Sequence, residues 1–390
     1  MEVCRQDDPS LRDVELLVVG GRRDSRGVVQ SASYGARKFG VRSGMPIGEA
    51  VRRCPGATFV GGEFASYRRA SRKVRQVLEQ FAPVVVMTGL DEGYLDLSGT
   101  DLLHPLSLMD FATEIRGAVH RESGLDCSIG IGANRMIAKI ASDYAKPRGI
   151  CEVRAGWERG FMAGLPLKAL PGVGPRTAER LASRGLSDVA QVQVMPIDEL
   201  SKLVGRDEAV LLIRRAEGRG GTSLSRRDQP KSVSRETTFR RDVSDARELD
   251  RVLLLLTARL AAQLREEQLV AGAVVLKLRH ADFTTLTRRT TLKPASALDQ
   301  SILETARRLL LPAFADARRR GQAIRLLGVA GTNLTPAGPA DLFAPPAQLR
   351  QETVTRAVDA VRARFGFDAL HSGRLVRPPV TGGKKSGSSD

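Results

Sequence analysis

Two adjacent acids, Asp91 and Glu92, sit between Gly89 and Gly93 in the stretch Gly89-Leu90-Asp91-Glu92-Gly93-Tyr94-Leu95-Asp96-Leu97. Neighbouring carboxylates repel and are costly to desolvate, so in a folded chain they either reach water or share a cation. A second group, Ser31, Tyr34 and Arg37, brings a hydroxyl, a phenol and a guanidinium to the start of a short helical segment. Tyr34 and Arg37 are three residues apart and share a face, an arrangement that suits an anionic group such as a phosphate. The third group is Leu170-Pro171-Gly172-Val173-Gly174-Pro175-Arg176. An apolar helix end, a Pro-Gly-apolar-Gly turn and a proline at the first position of the next helix read as a helix-hairpin-helix. Backbone N–H groups at Gly172 and Gly174, with Arg176 and the positive end of the second helix beside them, suit a DNA phosphate and carry no base readout. The plain alternatives are a solvated turn, a chance surface trio and an ordinary helical turn.

The elements that must position these groups follow from hydrophobic periodicity. The continuous apolar run 84–87 and the alternating run 94–97 predict a hairpin with the acids at its tip. Strands are predicted at 14–19, 28–29, 128–131 and 150–153. Helices are predicted at 31–40, 64–80, 107–121 and 134–145, the last with Ile137, Ile140 and Ala141 inward. The order strand, helix, strand, strand, helix, strand describes a ferredoxin-like layer. Residues 218–231 are polar and rich in glycine and arginine, a cationic linker that includes Lys231. Beyond it, a long helix at 245–268 is followed by a hairpin in which Val274, Leu276 and Leu278 face one way and Lys277 and Arg279 the other. The return strand carries Arg288 and Arg289, a second helix covers 297–318 and a last strand covers 324–330. A sheet with helices on one face and Lys277, Arg279 and Arg288 on the other suits a phosphate backbone. After a Pro/Gly-rich connector come Leu342 and Phe343, an amphipathic segment at 351–365 and a low-complexity end.

With 390 residues and 42% hydrophobic content, the chain is long enough for several packed domains. Lysine and arginine outnumber acids 61 to 44, giving a net charge of +17 that points to a polyanionic partner. No apolar run approaches the length of a membrane span, so no membrane partner is expected. Four cysteines and four histidines are scattered without ligand spacing, which argues against a disulfide framework or zinc site and for a reduced, cytoplasmic chain.

Taken in order, these segments resemble a Y-family DNA polymerase of the bacterial DNA polymerase IV type. The resemblance is carried by 31–46 with Ser31, Tyr34 and Arg37, by Leu90-Asp91-Glu92-Gly93-Tyr94-Leu95-Asp96, and by 128–134. It continues through Ala138-Lys139-Ile140-Ala141-Ser142, Ala145-Lys146-Pro147 and the hairpin ending at Gly174. It covers residues from about 2 to about 370. The implied fold is α+β and multidomain, with a ferredoxin-like palm, small fingers, a helix-hairpin-helix thumb and a little-finger α/β sheet domain. The implied organisation is 1–63 first palm remnant and fingers, 64–153 palm, 154–217 thumb, 218–232 linker, 233–335 little finger and 336–390 tail.

The resemblance implies template-directed, low-processivity translesion synthesis, with Asp91 and Glu92 as ligands of two Mg²⁺ ions. It also implies that Ser31, Tyr34, Arg37 and Lys146 contact the triphosphate of a dNTP. The implied partners are primer-template DNA and a sliding clamp bound through Leu342 and Phe343, and the protein is expected to act as a monomer. Three positions depart from the family pattern. The family opens with a strand carrying an Asp-x-Asp-like motif, whose first aspartate is a third metal ligand, and then an aromatic that excludes ribonucleotides; this sequence opens at Met1-Glu2-Val3, past both. The clamp segment lacks its usual glutamine, and Arg135 stands where lysine is usual. The chain as written is therefore expected to be poorly soluble and nearly inactive as a polymerase, and an upstream segment restoring that strand is expected to rescue it. The alternative readings are a catalytically defective DNA- and clamp-binding adaptor and a helix-hairpin-helix repair nuclease. The nuclease would need an acid cluster near the hairpin, where 165–190 offers only Glu179 and Asp188.

Overall fold

The computed structural model describes residues 1–100, 106–224, 230–338 and 346–370, with Gly373. The fold is α+β, and the chain divides into two compact units. One unit takes Met1–Gly20, Gln30–Ser43 and Arg53–Arg226; the other takes Gly21–Val29, Gly44–Arg52 and Arg227–Asp390.

The first unit begins with α1 (Glu2–Asp7) and a three-stranded sheet. Its central strand β1 (Leu17–Val19) is fully buried, antiparallel to β2 (Ser31–Ala32) and parallel to β3 (Thr58–Val60). Between β2 and β3 lie α2 (Tyr34–Lys38) and α3 (Ile47–Arg53), the latter grouped with the second unit except for Arg53. The expected capped turn is present, but the cap is Ser33; Ser31 lies on β2 and pairs with Val19. The expected strand at Val28 and Val29 reduces to a single bridge between Val28 and Pro46, because the segment around it is turn rather than extended chain.

Next come α4 (Phe64–Leu78), β4 (Val84–Met87), β5 (Gly93–Asp96), α5 (Leu108–Ser123), β6 (Ile129–Ile131), α6 (Arg135–Tyr144) and β7 (Ile150–Glu152). Helices α4 and α5 pair, and Val77, Phe111, Ile115 and Val119 form a core that also receives Val85, Met87, Leu95 and Ile129. The four strands pair as two ribbons, β4–β5 antiparallel and β6–β7 parallel, with no backbone ladder joining β5 to β6. The two ribbons share that core through their side chains. Helix α6 lies against β6 because Gly130 has no side chain: a Cβ there would stand 2.0 Å from the Ala138 carbonyl oxygen and 2.2 Å from the Ser142 nitrogen.

The unit closes with short helices α7 (Glu158–Ala163), α8 (Pro175–Ala182), α9 (Val189–Val194), α10 (Ile197–Val204) and α11 (Arg206–Ala216). Met162, Leu170, Leu181, Leu200 and Leu212 fill their core.

In the second unit, β8 (Ser232–Val243), α12 (Ala246–Glu266), β9 (Leu269–His280), β10 (Thr285–Ser296), α13 (Asp299–Arg319) and β11 (Ile324–Pro336) form an antiparallel sheet of order β10-β9-β11-β8. Helices α12 and α13 cover one face, burying Leu249, Leu253, Leu260 and Leu264 against Leu276, Leu278 and Leu327. A further helix, α14 (Pro346–Phe365), is fastened by Arg265. The Arg265 guanidinium donates to both Asp359 carboxylate oxygens, to Asp299 and to the Ala297 carbonyl. Segment 21–29 belongs to this unit and pairs with β8 through Arg26 and Asp242. Among the described residues no helix is long and apolar enough to cross a membrane.

Candidate active site

The acid pair sits in the turn of the β4–β5 hairpin. Val86 pairs with Tyr94 and Met87 with Gly93, and the amides of Thr88 and Gly89 both donate to the Glu92 carbonyl (3.0 and 3.4 Å). Both carboxylates are exposed to solvent. Glu92 already holds a cation: Lys139 Nζ of α6 stands 2.5 Å from Glu92 Oε1. Burial alone would lower the Lys139 pKa, but the Glu92 hydrogen bond and the charges of Asp143 and Glu92 outweigh it and hold the ammonium above its ordinary value. One helical turn further, Asp143 Oδ1 accepts from Lys146 Nζ at 2.6 Å. Alternating charges thus run from Glu92 through Lys139 and Asp143 of α6 to Lys146, just past the end of that helix.

Asp96, two strand positions beyond Tyr94, pairs with Val84 at the opposite end of the hairpin from the acid turn. The Ser98 hydroxyl and amide hydrogen-bond it and hold its carboxyl below the ordinary range. Among the described residues no group of three or more His, Cys, Asp or Glu is placed to hold a metal ion. The donor set at the turn is two hard carboxylates, which fits an ion that fills its remaining positions with water and substrate phosphates, as Mg²⁺ does.

Ser31, Tyr34 and Arg37 form a separate group on β2 and α2 of the same unit. Ser33 Oγ fixes the corner between them, accepting from the Ala36 and Leu17 amides (both 3.1 Å) and donating to the Glu15 carbonyl (2.7 Å). Tyr34 is 60% exposed at the head of α2. Arg37 Nε donates to the Ala32 carbonyl (3.0 Å), which tethers the guanidinium beside β2.

Residues 1–143 match the impB/mucB/samB family model, 230–342 its C-terminal domain and 165–217 the SAM-like helix-hairpin-helix tandem. DNA polymerase IV of Dehalococcoides mccartyi strain CBDB1 is 38% identical over 370 residues, 95% of this chain and 93% of that one. The chain belongs to the Y-family DNA polymerases, in the DNA polymerase IV branch. DNA polymerase IV of Caulobacter vibrioides is 35% identical over 379 residues, covering 96% and 91% of the two chains. Among solved structures, a Y-family DNA polymerase chimera built on Dbh superposes with a TM-score of 0.71 at 23% identity, covering 86% of this chain and 96% of that one. An insertion ternary complex of Dbh DNA polymerase gives 0.59 over the same shares of the two chains.

In this Y-family chain the helix-hairpin-helix is tighter than its sequence suggests. Its first helix is a single 3₁₀ turn (Leu167–Ala169), and Pro175 opens α8. Gly172 has φ +93, and the space where its Cβ would go is taken by Arg215, whose Nη1 donates to the Pro171 carbonyl (2.9 Å). Gly174 has φ −77 with nothing near its Cβ position, so neither packing nor backbone conformation requires a glycine there. Of the two glycine amides, that of Gly174 donates to the Gly172 carbonyl (3.2 Å), whereas no backbone bond among the described residues uses the Gly172 amide. The first turn of α8, where Arg176 sits, adds further open donors, because a helix start has no intrahelical acceptors for them.

On the little-finger sheet, Lys277 and Arg279 face away from the helices, as their alternation with Leu276 and Leu278 predicts. Arg288 does not join them. It pairs with buried Leu276, so it projects on the helix side, where it lines a cavity with Arg308 and Leu309. Arg289, paired with Val275, takes the outer face instead. The return strand's own alternation agrees with the register: Leu286 and Leu292 share the face of Arg288 and pack on the core, which leaves Arg289 outside. Lys277 is engaged with Glu236 (2.8 Å) across Gly328, which pairs with both residues. Lys231 is exposed just ahead of β8, and Leu342 and Phe343 lie outside the described residues.

Proposed function

We propose that this chain extends a DNA primer on a template strand, transferring a nucleotide from a dNTP to the primer 3′ hydroxyl at the Asp91–Glu92 turn. The observation that carries the reading is this solvent-open acid pair at a hairpin tip, paired to α6 through Lys139, with Lys146 just beyond the end of that helix. Asp91 and Glu92 would hold Mg²⁺, two ions in the family's chemistry. Those ions would supply charge neutralisation on the phosphates and a more acidic 3′ hydroxyl. Ser31, Tyr34, Arg37 and Lys146 orient the triphosphate, and their cationic members offset charge that grows on the leaving pyrophosphate. Gly172, Gly174 and Arg176 bind the duplex backbone, as do Lys231, Lys277, Arg279 and, from the observed register, Arg289. An exposed site and contacts confined to the backbone suit damaged templates.

Single-turnover extension tests this. Asp91→Asn and Glu92→Gln should each lower the extension rate at least about 100-fold while primer-template affinity stays near the parent's, the pattern of groups acting on the transition state. Parent-like rates from either variant would remove it from the site.

Two carboxylates are few for two ions, and the palm strands stand as separate ribbons. An adaptor that binds DNA and clamp without synthesis is the second reading, favoured by the same small acid count. Clamp binding is assigned to Leu342 and Phe343. Without a glutamine contact it should be several-fold to about tenfold weaker than a full motif, one hydrogen bond's worth. Pull-down with Leu342→Ala/Phe343→Ala should lose the clamp, and unchanged capture would place the anchor elsewhere.

A further inference from the structure

Lys139 and Arg135 stand one turn apart on α6, while Glu92 and Tyr94 stand two residues apart around the start of β5, on one side of the chain. Four helical residues rise about 6 Å and two strand residues span about 6.6 Å, so the two spacings match. Arg135 accordingly lies over the Tyr94 ring, 5.1 Å from its centroid, while Lys139 reaches Glu92. Helix α6 is held against β6 at Gly130, which fixes where the ammonium can go.

We propose that Lys139 is a resident counterion of Glu92: it fills the carboxylate's cation position while no divalent ion is bound and yields that position when one arrives. The proposal rests on the reading of Glu92 as a metal ligand. An ammonium 2.5 Å from Glu92 Oε1 occupies the space a metal ion would need at that oxygen. A doubly charged ion is also repelled by the ammonium twice as strongly as a single charge would be. Both side chains are close to half exposed, 43% and 49%, so the ammonium can turn out to water with little loss. Lys139 would thus keep the metal affinity of the nucleotide-free protein low and leave the turn charge-balanced.

Mn²⁺ alone, titrated into the full chain without nucleotide or DNA and followed by electron paramagnetic resonance, tests this. Lys139→Gln and Lys139→Met should each bind Mn²⁺ about two- to tenfold more tightly than the parent, and Lys139→Arg should stay near the parent. Unchanged or weaker binding in both neutral variants overturns the proposal. Glu92→Gln separates the two ideas. If it leaves Mn²⁺ affinity unaltered, the ligand reading fails; if it weakens binding while the neutral Lys139 variants do not tighten it, only the counterion role fails. A melting-temperature gap between parent and Lys139→Gln should narrow as Mn²⁺ approaches saturation. A gap that stays constant marks Lys139 as purely structural and also overturns the proposal.

Discussion

One hydroxyl organises the corner that presents Tyr34 and Arg37. Ser33 is 5% exposed and makes three hydrogen bonds with its Oγ, one of them the cap of α2. Its removal strands the Leu17 and Ala36 amides and the Glu15 carbonyl in a buried place. Ser33→Ala should therefore cost about 2 kcal/mol in urea unfolding, at the upper end of cap losses; a loss under a few tenths would show that water replaces the hydroxyl. At this scale the sequence was readable wherever the chemistry is local. Asp91 and Glu92 announce themselves by adjacency and flanking glycines. Lys139 could not be found this way, because its partner is 47 residues distant and only the docking of α6 brings them together. Arg288 was a misreading of a local signal: Leu286 and Leu292 lie on its side of the pleat and mark that side as the inner one, so Arg289 is the outward arginine.

Among the elements, α6 does most to place the site, and it depends on a strand glycine. Gly130→Ala would drive a Cβ into two backbone atoms that have nowhere to move. We expect a loss of about 3 kcal/mol, the larger end of overpacking costs, together with loss of the Lys139–Glu92 pair. Gly174→Ala, facing open space, should change stability by no more than about 0.5 kcal/mol. Thermal unfolding of the two variants checks the contrast, and equal shifts would refute it. Helices were legible in the sequence because their 3.6-residue stripes are local; α4, α5, α6, α12 and α13 begin and end within two residues of the expected bounds. The β4–β5 hairpin was legible as well, but the pairing of β6 with β7 as a separate ribbon was not. Strand order depends on which edges meet across long loops, and alternation within a strand carries no record of its neighbour.

Over the whole molecule, the +17 charge governs association with a polyanion. If about five phosphates are neutralised, log K for primer-template should fall against log salt with a slope near −4 to −5. A fluorescence-anisotropy titration over a range of salt concentrations measures it, and a slope near zero or a marked preference for one sequence would contradict backbone binding. The grouping of 21–29 and 44–52 with the C-terminal residues was not visible in the sequence, since it arises from contacts at long separation. That grouping has a consequence in time. On a ribosome adding roughly 5 to 20 residues per second, Arg227 emerges on the order of 10 to 35 s after Arg52, and the rest of the C-terminal portion later still. For that interval two early segments are without the later portion of their unit. The second unit can be completed only after its portion from Arg227 onward has been made, however early its first residues appear.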